Sequence, residues 1–223
     1  MYKLILLAIL NVQVQQSWKE GEVGKEEHNA EDWALAKVPL VLVPIANGID
    51  DVEAVIVTVI VTDVLRRAKA NVIVASVEDN LQIVAARGTK IVADKLIEEV
   101  IQSNYDLILL PGGLHGAERL GSCEHLVKLL REQAKSNKVY GAICASAVML
   151  DNKGLLKGKK ATSHPHHSSR LSDQSAVNVR VVVDGKVITN MGVGATMEFA
   201  MTIVEKVFGF ETTNLIAKAL VFS

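Results

Sequence analysis

Four nearly continuous apolar runs constrain the fold of this 223-residue chain more than any other feature. They lie at Pro39–Ile45, Asn71–Ser76, Asp106–Leu110 and Val139–Ile143. Runs of this kind, in which polar residues do not alternate with apolar ones, are typical of strands buried on both faces of a parallel sheet. A parallel sheet needs a covering layer on each face, so the pattern predicts an α/β fold.

Helical patterns separate the apolar runs, at Asp51–Ala68, Cys123–Ala134 and Glu198–Phe208. Strands that alternate with helices indicate βαβ units, whose right-handed crossovers place the carboxyl ends of the strands along one edge. Shorter strands are expected at Gln82–Ala85, Lys90–Ala93, Val177–Val182 and Lys186–Thr189. A hairpin turn at Asp184-Gly185 joins the last two. The predicted fold is therefore a doubly wound, mostly parallel sheet sandwiched by helices.

One helical segment contains conflicting signals. Val55–Thr58 is repeated at once as Val59–Thr62, which gives eight β-branched residues in succession and favours a strand. Acidic residues before the run and two arginines after it favour a helix. We predict the helix, because the strand order requires a crossover here, and keep the strand as the alternative. The four repeated residues are about one helical turn, so we expect one end of the helix to move out of register.

Composition excludes several classes of function. The net charge is −1 with no basic block, which argues against binding to nucleic acid and against a polybasic membrane patch. No run reaches the roughly 18 apolar residues of a membrane span. Two cysteines in the whole chain suit a reducing compartment, and we expect a cytoplasmic protein.

Residues 1–37 differ from the rest of the chain. Tyr2–Val12 is largely apolar, like the core of a signal peptide. However, Lys3 is the only basic residue at its start, and no cleavage site follows. The stretch Trp18–Lys37 is dense in charged and polar residues. We predict a leader at 1–37, disordered or a solvated helix, and one domain at 38–223. An organellar or secretory signal is the alternative.

Cys144 is the strongest functional signal. It follows the apolar run Val139–Ile143 and precedes a run of small, helix-forming residues. A sharp strand-to-helix turn of this kind exposes a nucleophile above a parallel sheet. The positive end of the following helix favours the thiolate, so we expect a pKa below the usual thiol value of about 8.5 and higher reactivity than at Cys123. The alternative is a small buried apolar residue.

Two further groups follow apolar runs. Glu53 comes after the first run, and Gly112-Gly113 comes after the third. Because the carboxyl ends of parallel strands share an edge, we expect Glu53, Gly113 and Cys144 to meet there. Taken alone, Glu53 could be an acidic residue that complements a helix dipole, and the glycine pair could be a plain turn.

The segments Gly-Ile-Asp-Asp-Val-Glu, Leu-Leu-Pro-Gly-Gly, Gly-Ala-Ile-Cys-Ala and Thr-Ser-His-Pro occur in this order. With them the chain resembles the DJ-1/PfpI superfamily, and its plant members most, from about Val38 to Phe222. The resemblance implies a flavodoxin-like fold and a homodimer. It implies activities that include cofactor-free glyoxalase, protein deglycase, cysteine redox sensing, chaperoning and, in other branches, peptidase.

The resemblance also implies roles for single residues. Cys144 is similar to the nucleophile, Glu53 to the carboxyl partner of its sulfur, and His164 to a histidine near the site. Gly112, Gly113 and Ala145 are expected to supply backbone N–H donors, and Arg87 and Arg67 are expected at the pocket edge. His115 is also expected at the pocket edge, because it lies beside the double glycine. For His115, plain exposure at the surface is the alternative.

Two segments depart from the superfamily pattern. Ser-Arg-Gly-Pro-Gly appears here as Asn190-Met191-Gly192-Val193-Gly194, and the small residue and proline after the cysteine appear as Ser146-Ala147. The segment His164-Pro165-His166-His167 suggests a metal site. However, its proline prevents a regular helix, and no cysteine or carboxylate flanks it at zinc spacing, so we expect no metal.

The residues support one chemistry best, a glyoxalase-like conversion of a small 2-oxoaldehyde such as methylglyoxal to a hydroxyacid. A thiolate attacks the aldehyde, backbone N–H groups stabilise the alkoxide, and a carboxyl moves a proton between adjacent carbons. This chemistry requires no cofactor. The alternatives are a non-enzymatic redox sensor or chaperone whose Cys144 oxidises, and a cysteine peptidase whose base, His164, has no evident orienting acid.

Overall fold

The computed structural model describes Trp33, Leu35 and residues 37–222. Seven strands form the main sheet: β1 (Leu40–Ile45), β2 (Asn71–Ser76), β5 (Lys95–Leu96), β6 (Leu107–Leu110), β7 (Val139–Ile143), β8 (Val181–Asp184) and β9 (Val187–Asn190). Their order is β5-β2-β1-β6-β7-β9-β8, and every neighbouring pair is parallel except β8 and β9. The four apolar runs are the adjacent strands β2, β1, β6 and β7, which confirms the predicted fold.

Two short strands, β3 (Gln82–Val84) and β4 (Lys90–Val92), pair separately as an antiparallel hairpin. The helices are α1 (Thr58–Arg67), α2 (Ile97–Val100), α3 (Leu114–Ser122), α4 (Glu124–Lys135), α5 (Ala145–Asn152), α6 (Pro165–Ser168), α7 (Thr196–Phe208) and α8 (Phe210–Ala219). Helix α1 packs against α7, and α3 packs against α4 and α5. Right-handed crossovers place these two groups on opposite faces of the sheet. In the described part of the chain, no helix is long and apolar enough to cross a membrane.

The structure corrects several predicted boundaries. The strand expected at Val177–Val182 is β8 and begins only at Val181, although the hairpin turn after it lies as predicted. Helices α2, α3, α6 and α8 were not predicted; α3 contains two glycines, which lower helix propensity. The proline that was expected to prevent a helix in the histidine segment is instead the first residue of the short helix α6, a position that proline tolerates. The leader prediction for residues 1–32 lies outside the described residues. Trp33 is buried and donates from Nε1 to the Gly185 carbonyl at 3.0 Å, so contact with the domain begins before Val38.

The duplicated segment is helical, as predicted, but not regularly so. Glu53–Val57 forms a π-helical turn that continues directly into α1. A π turn closes its hydrogen bonds over five residues instead of four, so it can take up an added residue within one turn. The irregular turn of this helical segment is thus the one that begins with Glu53.

Both copies of the duplicated tetrapeptide present the same face to the core. Val55 and Val59 are exposed, whereas the third and fourth residues of each copy are buried: Val57, Thr58, Val61 and Thr62. A repeat of four residues is close to the helical period of 3.6, so equivalent side chains point in nearly the same direction. The duplication therefore lengthens the helix while the side chains that face the core stay buried.

Thr58 and Thr62 occupy equivalent positions but differ in hydrogen bonding. The Thr62 hydroxyl donates to the Thr58 carbonyl at 2.7 Å, whereas the Thr58 hydroxyl has no partner among the described residues. Thr58→Val should therefore leave the free energy of unfolding unchanged or raise it by about 1 kcal/mol, because it removes an unsatisfied buried hydroxyl. Thr62→Val should lower it by about 1 kcal/mol. Urea unfolding of both variants measures the difference, and equal effects would contradict this account.

Candidate active site

Cys144 forms a strained elbow between β7 and α5. Its backbone has φ 57° and ψ −127°, a positive φ that is uncommon for any residue except glycine. Neighbouring groups hold this conformation: the Cys144 N–H donates to the Asn190 carbonyl at 2.8 Å, and the Ser163 hydroxyl donates to the Cys144 carbonyl at 2.7 Å. Strain that surrounding contacts maintain in this way is typical of functional positions.

The carboxyl of Glu53 lies against the sulfur of Cys144. Glu53 is only 3% exposed, and its side chain forms a hydrogen bond with the Cys144 thiol. Gly112 makes this approach possible, since a Cβ at Gly112 would lie 2.7 Å from the Cys144 Cβ and would overlap the Glu53 carboxyl. The ends of β1, β6 and β7 thus bring Glu53, Gly112 and Cys144 together.

Two backbone N–H groups also reach the sulfur of Cys144. One belongs to Ala145, the first residue of α5, and the other to Gly113. Gly113 has φ 89°, and a side chain there would collide with the backbone at Ile49 and Asp50. Only glycine fits this position, so the sequence of the β6–α3 loop fixes one of the two donors.

Burial controls the charge of the pair. Removal from water raises the pKa of Glu53 to about 7; the hydrogen bond from Cys144 opposes the shift, and the charge of Asp50 adds to it. Burial and the neighbouring Glu53 carboxylate raise the pKa of Cys144 to about 12, against the two backbone N–H donors. The expected lowering of the Cys144 pKa is therefore wrong while Glu53 is ionised. The two groups titrate as a coupled pair.

A pocket of about 620 Å³ opens above Cys144 and Glu53. Asp50 and His164 are among the residues that line it. The His164 Nδ1 accepts from the backbone N–H of His166 at 3.3 Å, which caps the short helix α6. Among the described residues, no group of three or more His, Cys, Asp and Glu side chains could hold a metal ion.

The structure places the three remaining candidates differently. Arg87 lies beside the pocket, where its guanidinium pairs with Asp50 at 2.8 Å. His115 is exposed near Glu118 and does not line the pocket, so its alternative of plain surface exposure holds.

Arg67 does not lie at the pocket edge, and that expectation needs correction. Helix α1 runs from the carboxyl end of β1 back towards the amino end of β2, so its last residues lie at the opposite edge of the sheet from Cys144. There Arg67 forms an ion pair with Asp63 at 2.7 Å.

Sequence reasoning missed the contribution of the segment after β9. The Asn190 side chain accepts from the Gly192 N–H at 2.9 Å, and the following residues line the pocket. Arg180 also lines it and holds this loop by donating to the Gly194 carbonyl at 2.6 Å and to Glu198 at 2.8 Å. Glu53 and Gly113 were identified because they lie beyond the carboxyl end of a parallel strand. The same rule applies to this loop, which follows β9.

The sheet order and the cysteine elbow at its carboxyl edge define a flavodoxin-like α/β protein with a thiol-centred site. Comparison with known proteins gives the family. Residues 39–206 match the model of the DJ-1/PfpI family, and the chain belongs to this family. Solved structures agree: the oxidized DJ-1 of Toxoplasma gondii (37% identity, TM-score 0.78) and the DJ-1beta of Drosophila melanogaster (32%, TM-score 0.78). The matches cover 83% and 84% of this chain and 100% of each structure.

Among curated relatives, the chain is 50% identical to Protein DJ-1 homolog A of Arabidopsis thaliana and 51% identical to homolog B. Each match covers 86% of this chain but only 48% and 43% of those proteins, so the chain spans about half their length. It is also 32% identical to the glutathione-independent glyoxalase DJR-1.2 of Caenorhabditis elegans, over 84% of this chain and 97% of that protein.

The raised pKa of Glu53 makes stability depend on pH. The carboxyl titrates near 4.5 in the unfolded chain and near 7 in the folded one, so the folded state keeps a proton that the unfolded state has lost. Stability should therefore fall as pH rises through this window. In a Cys144→Ala background, Glu53→Gln should remove this penalty and stabilise the protein by up to about 3 kcal/mol above the window, with little effect below it.

Urea unfolding at a series of pH values measures this effect. The exposed Glu132→Gln substitution in the same background is the matched control and should show no such pH dependence. A stabilisation by Glu53→Gln that does not change with pH would contradict the burial of a titrating carboxyl.

Proposed function

We propose that this chain is a glyoxalase-like enzyme that converts methylglyoxal or glyoxal to a hydroxyacid through Cys144, without a cofactor. The observation that carries the proposal is the hydrogen-bonded contact between the Glu53 carboxyl and the Cys144 sulfur at the floor of a pocket. The activity in the name of the nematode relative supports it. The same attack on a carbonyl would let the site act on early glycation adducts of proteins, as a deglycase.

We propose that the reactive form of the pair is a thiolate beside a protonated carboxyl, the reverse of the proton position that the pKa values of about 7 for Glu53 and about 12 for Cys144 favour in the empty pocket. The sulfur has two backbone N–H donors, from Gly113 and Ala145. By contrast, one oxygen of Glu53, Oε2, is buried and has no hydrogen-bond partner among the described residues. A buried unpaired carboxylate oxygen is costly, whereas a negative charge on sulfur is stabilised by these donors. In the proposed reactive form, Glu53 therefore holds the shared proton.

The first steps follow from this arrangement. The thiolate attacks the aldehyde carbon, and the electron pair of the carbonyl moves to its oxygen. Backbone N–H groups at Gly113 and Ala145 stabilise the alkoxide, which then takes the proton of Glu53 to give a hemithioacetal. Glu53 is now a carboxylate next to the C–H bond that must break.

The Glu53 carboxylate next removes the proton from the sulfur-bearing carbon and returns it to the neighbouring carbonyl carbon. Together with movement of the hemithioacetal hydroxyl proton to the oxygen of that neighbouring carbon, this transfer gives a thioester of the 2-hydroxyacid. Water then attacks the thioester, one of its protons passes to the Glu53 carboxylate, and the C–S bond breaks, which regenerates the thiolate of Cys144 beside a protonated Glu53. The overall change is addition of one water to the 2-oxoaldehyde, with no net oxidation.

A non-enzymatic redox role is the second candidate. The two N–H groups near the Cys144 sulfur would also donate hydrogen bonds to the oxygens of an oxidised sulfur. The parasite structure to which the chain is similar is described as oxidized. The peptidase alternative has less support, since the His164 Nδ1 accepts from a backbone N–H and no carboxylate orients it among the described residues.

We also propose that the protein forms a homodimer through an apolar surface beside the pocket. On the helical segment before and within α1, Val52, Val55 and Val59 are exposed, the last by 54%. The β3–β4 hairpin adds Val84 and Val92, and Val84 accepts a hydrogen bond from the loop that precedes this helix. Apolar patches of this kind mark protein interfaces.

Val59→Glu should therefore shift the protein from dimer to monomer in size-exclusion chromatography with light scattering. Val38→Glu, which places the same charge at a position of similar exposure before β1, is the control and should leave the mass unchanged. If Val59→Glu remains a dimer, the interface does not include this apolar surface.

Lactate formation from methylglyoxal in the absence of glutathione tests the enzymatic proposal. Cys144→Ala should abolish turnover, and Glu53→Gln should lower kcat by about a hundredfold or more because the proton can no longer be shuttled. The Cys123→Ala variant controls for loss of a thiol outside the pocket and should keep wild-type activity. If the wild type forms no lactate, the enzymatic proposal fails and the redox role becomes the leading one.

A further inference from the structure

One wall of the pocket is rich in imidazole groups. His164, His166 and His167 lie on it, and Arg180 lies beside them. The ring centres of His164 and His166 are 4.9 Å apart, and those of His164 and His167 are 6.0 Å apart. Neither His166 nor His167 has a part in the chemistry proposed above, so their shared position facing Cys144 calls for another explanation.

The other charged groups around the pocket already have partners. Asp50, which also lines the pocket, pairs with Arg87 at 2.8 Å, and Arg180 pairs with Glu198 at 2.8 Å. Glu53 holds a proton in the proposed reactive form and then adds no charge. Within the described chain, none of the three imidazoles lies within ion-pair distance of a carboxylate. Any positive charge that they acquire therefore faces the pocket without compensation.

The His167 imidazole also resists protonation in the empty pocket. Burial lowers the pKa of His167, and the positive charges of His164, Arg170 and His166 lower it further. An anion placed among these rings would offset their mutual repulsion and favour their charged forms. Binding of an anion and protonation of this wall should therefore reinforce each other.

The volume of the pocket also suits a substrate that reaches from Cys144 to the imidazoles. Cavities of several hundred Å³ usually accommodate ligands much larger than a three-carbon aldehyde. At about 620 Å³, this pocket leaves room for a substituent between the aldehyde carbon at Cys144 and the imidazole wall. A substrate that filled it would place that substituent against His166 and His167.

We propose that His166 and His167 select anionic electrophiles for Cys144, so that the preferred substrates are small aldehydes that carry a carboxylate or phosphate group. The identity of the substrate rests on the function proposed above. The charge selectivity does not, because it concerns only what reaches the thiolate.

Alkylation with two reagents of nearly equal size tests the selectivity. The Cys144 thiolate displaces iodide from anionic iodoacetate or from neutral iodoacetamide, and mass spectrometry follows each adduct. The ratio of the two rates cancels the fraction of thiolate present. Relative to N-acetylcysteine, Cys144 should favour iodoacetate by about fivefold or more near pH 6, the gain expected from one or two nearby positive charges. The preference should decline as pH rises and the imidazoles lose their protons.

The double variant His166→Gln/His167→Gln should lose this preference, because glutamine is similar in size but stays neutral. His125→Gln, an exposed histidine on α4, is the matched control and should keep it. A second arm separates the two anion types: inorganic phosphate should slow labelling by iodoacetamide if the wall accepts a tetrahedral oxyanion. Preference for iodoacetate alone would indicate carboxylate substrates, and protection by phosphate alone would indicate phosphorylated ones.

The inference would be overturned if Cys144 and N-acetylcysteine showed the same ratio of iodoacetate to iodoacetamide labelling rates and phosphate did not slow the labelling of Cys144. So would a preference that survives the double variant, or a Cys144 that neither reagent labels. If methylglyoxal turnover is absent but the preference is present and depends on the imidazoles, the proposed function fails and the charge selectivity stands.

Discussion

The contact between the Glu53 carboxyl and the Cys144 sulfur is the interaction on which the rest of the site depends. Two acidic groups that lie this close in a desolvated position cannot both ionise near neutral pH, so they share a proton. The residues that surround the two groups must each accommodate this contact. Gly112 leaves space for the carboxyl, Gly113 contributes an N–H to the sulfur, and the backbone strain at Cys144 aims the thiol at its partner.

The duplication in the helix after β1 shows how closely the position of Glu53 is maintained. A helical insertion normally rotates and displaces everything beyond it. Here the π turn at Glu53–Val57 absorbs the mismatch next to the site, and the two tetrapeptide copies bury equivalent side chains. The added length instead displaces the other end of α1, where Arg67 pairs with Asp63 far from the thiol. A change that lengthens a crossover helix can thus leave the chemistry at its first turn in place.

The strands could be predicted because buried parallel strands need nearly continuous apolar residues, and the four runs are β1, β2, β6 and β7. The meeting of Glu53, Gly113 and Cys144 could be anticipated because each lies beyond the carboxyl end of such a strand, Cys144 directly and the other two after a short loop. The raised pKa of the thiol could not, since it depends on burial and on a carboxylate whose distance no sequence rule gives. The place of Arg67 was missed because it depends on the length and direction of α1.

The site depends most on where the proton shared by Glu53 and Cys144 lies, and the ultraviolet absorbance of the thiolate reports this directly. The difference in absorbance between the wild type and Cys144→Ala, measured against pH, isolates the one sulfur. A proton on Glu53 predicts that the Cys144 thiolate is already formed near neutral pH, below the usual thiol pKa of about 8.5. A thiolate that forms only as pH approaches 12, the value set by an ionised Glu53, would place the proton on sulfur and contradict the account.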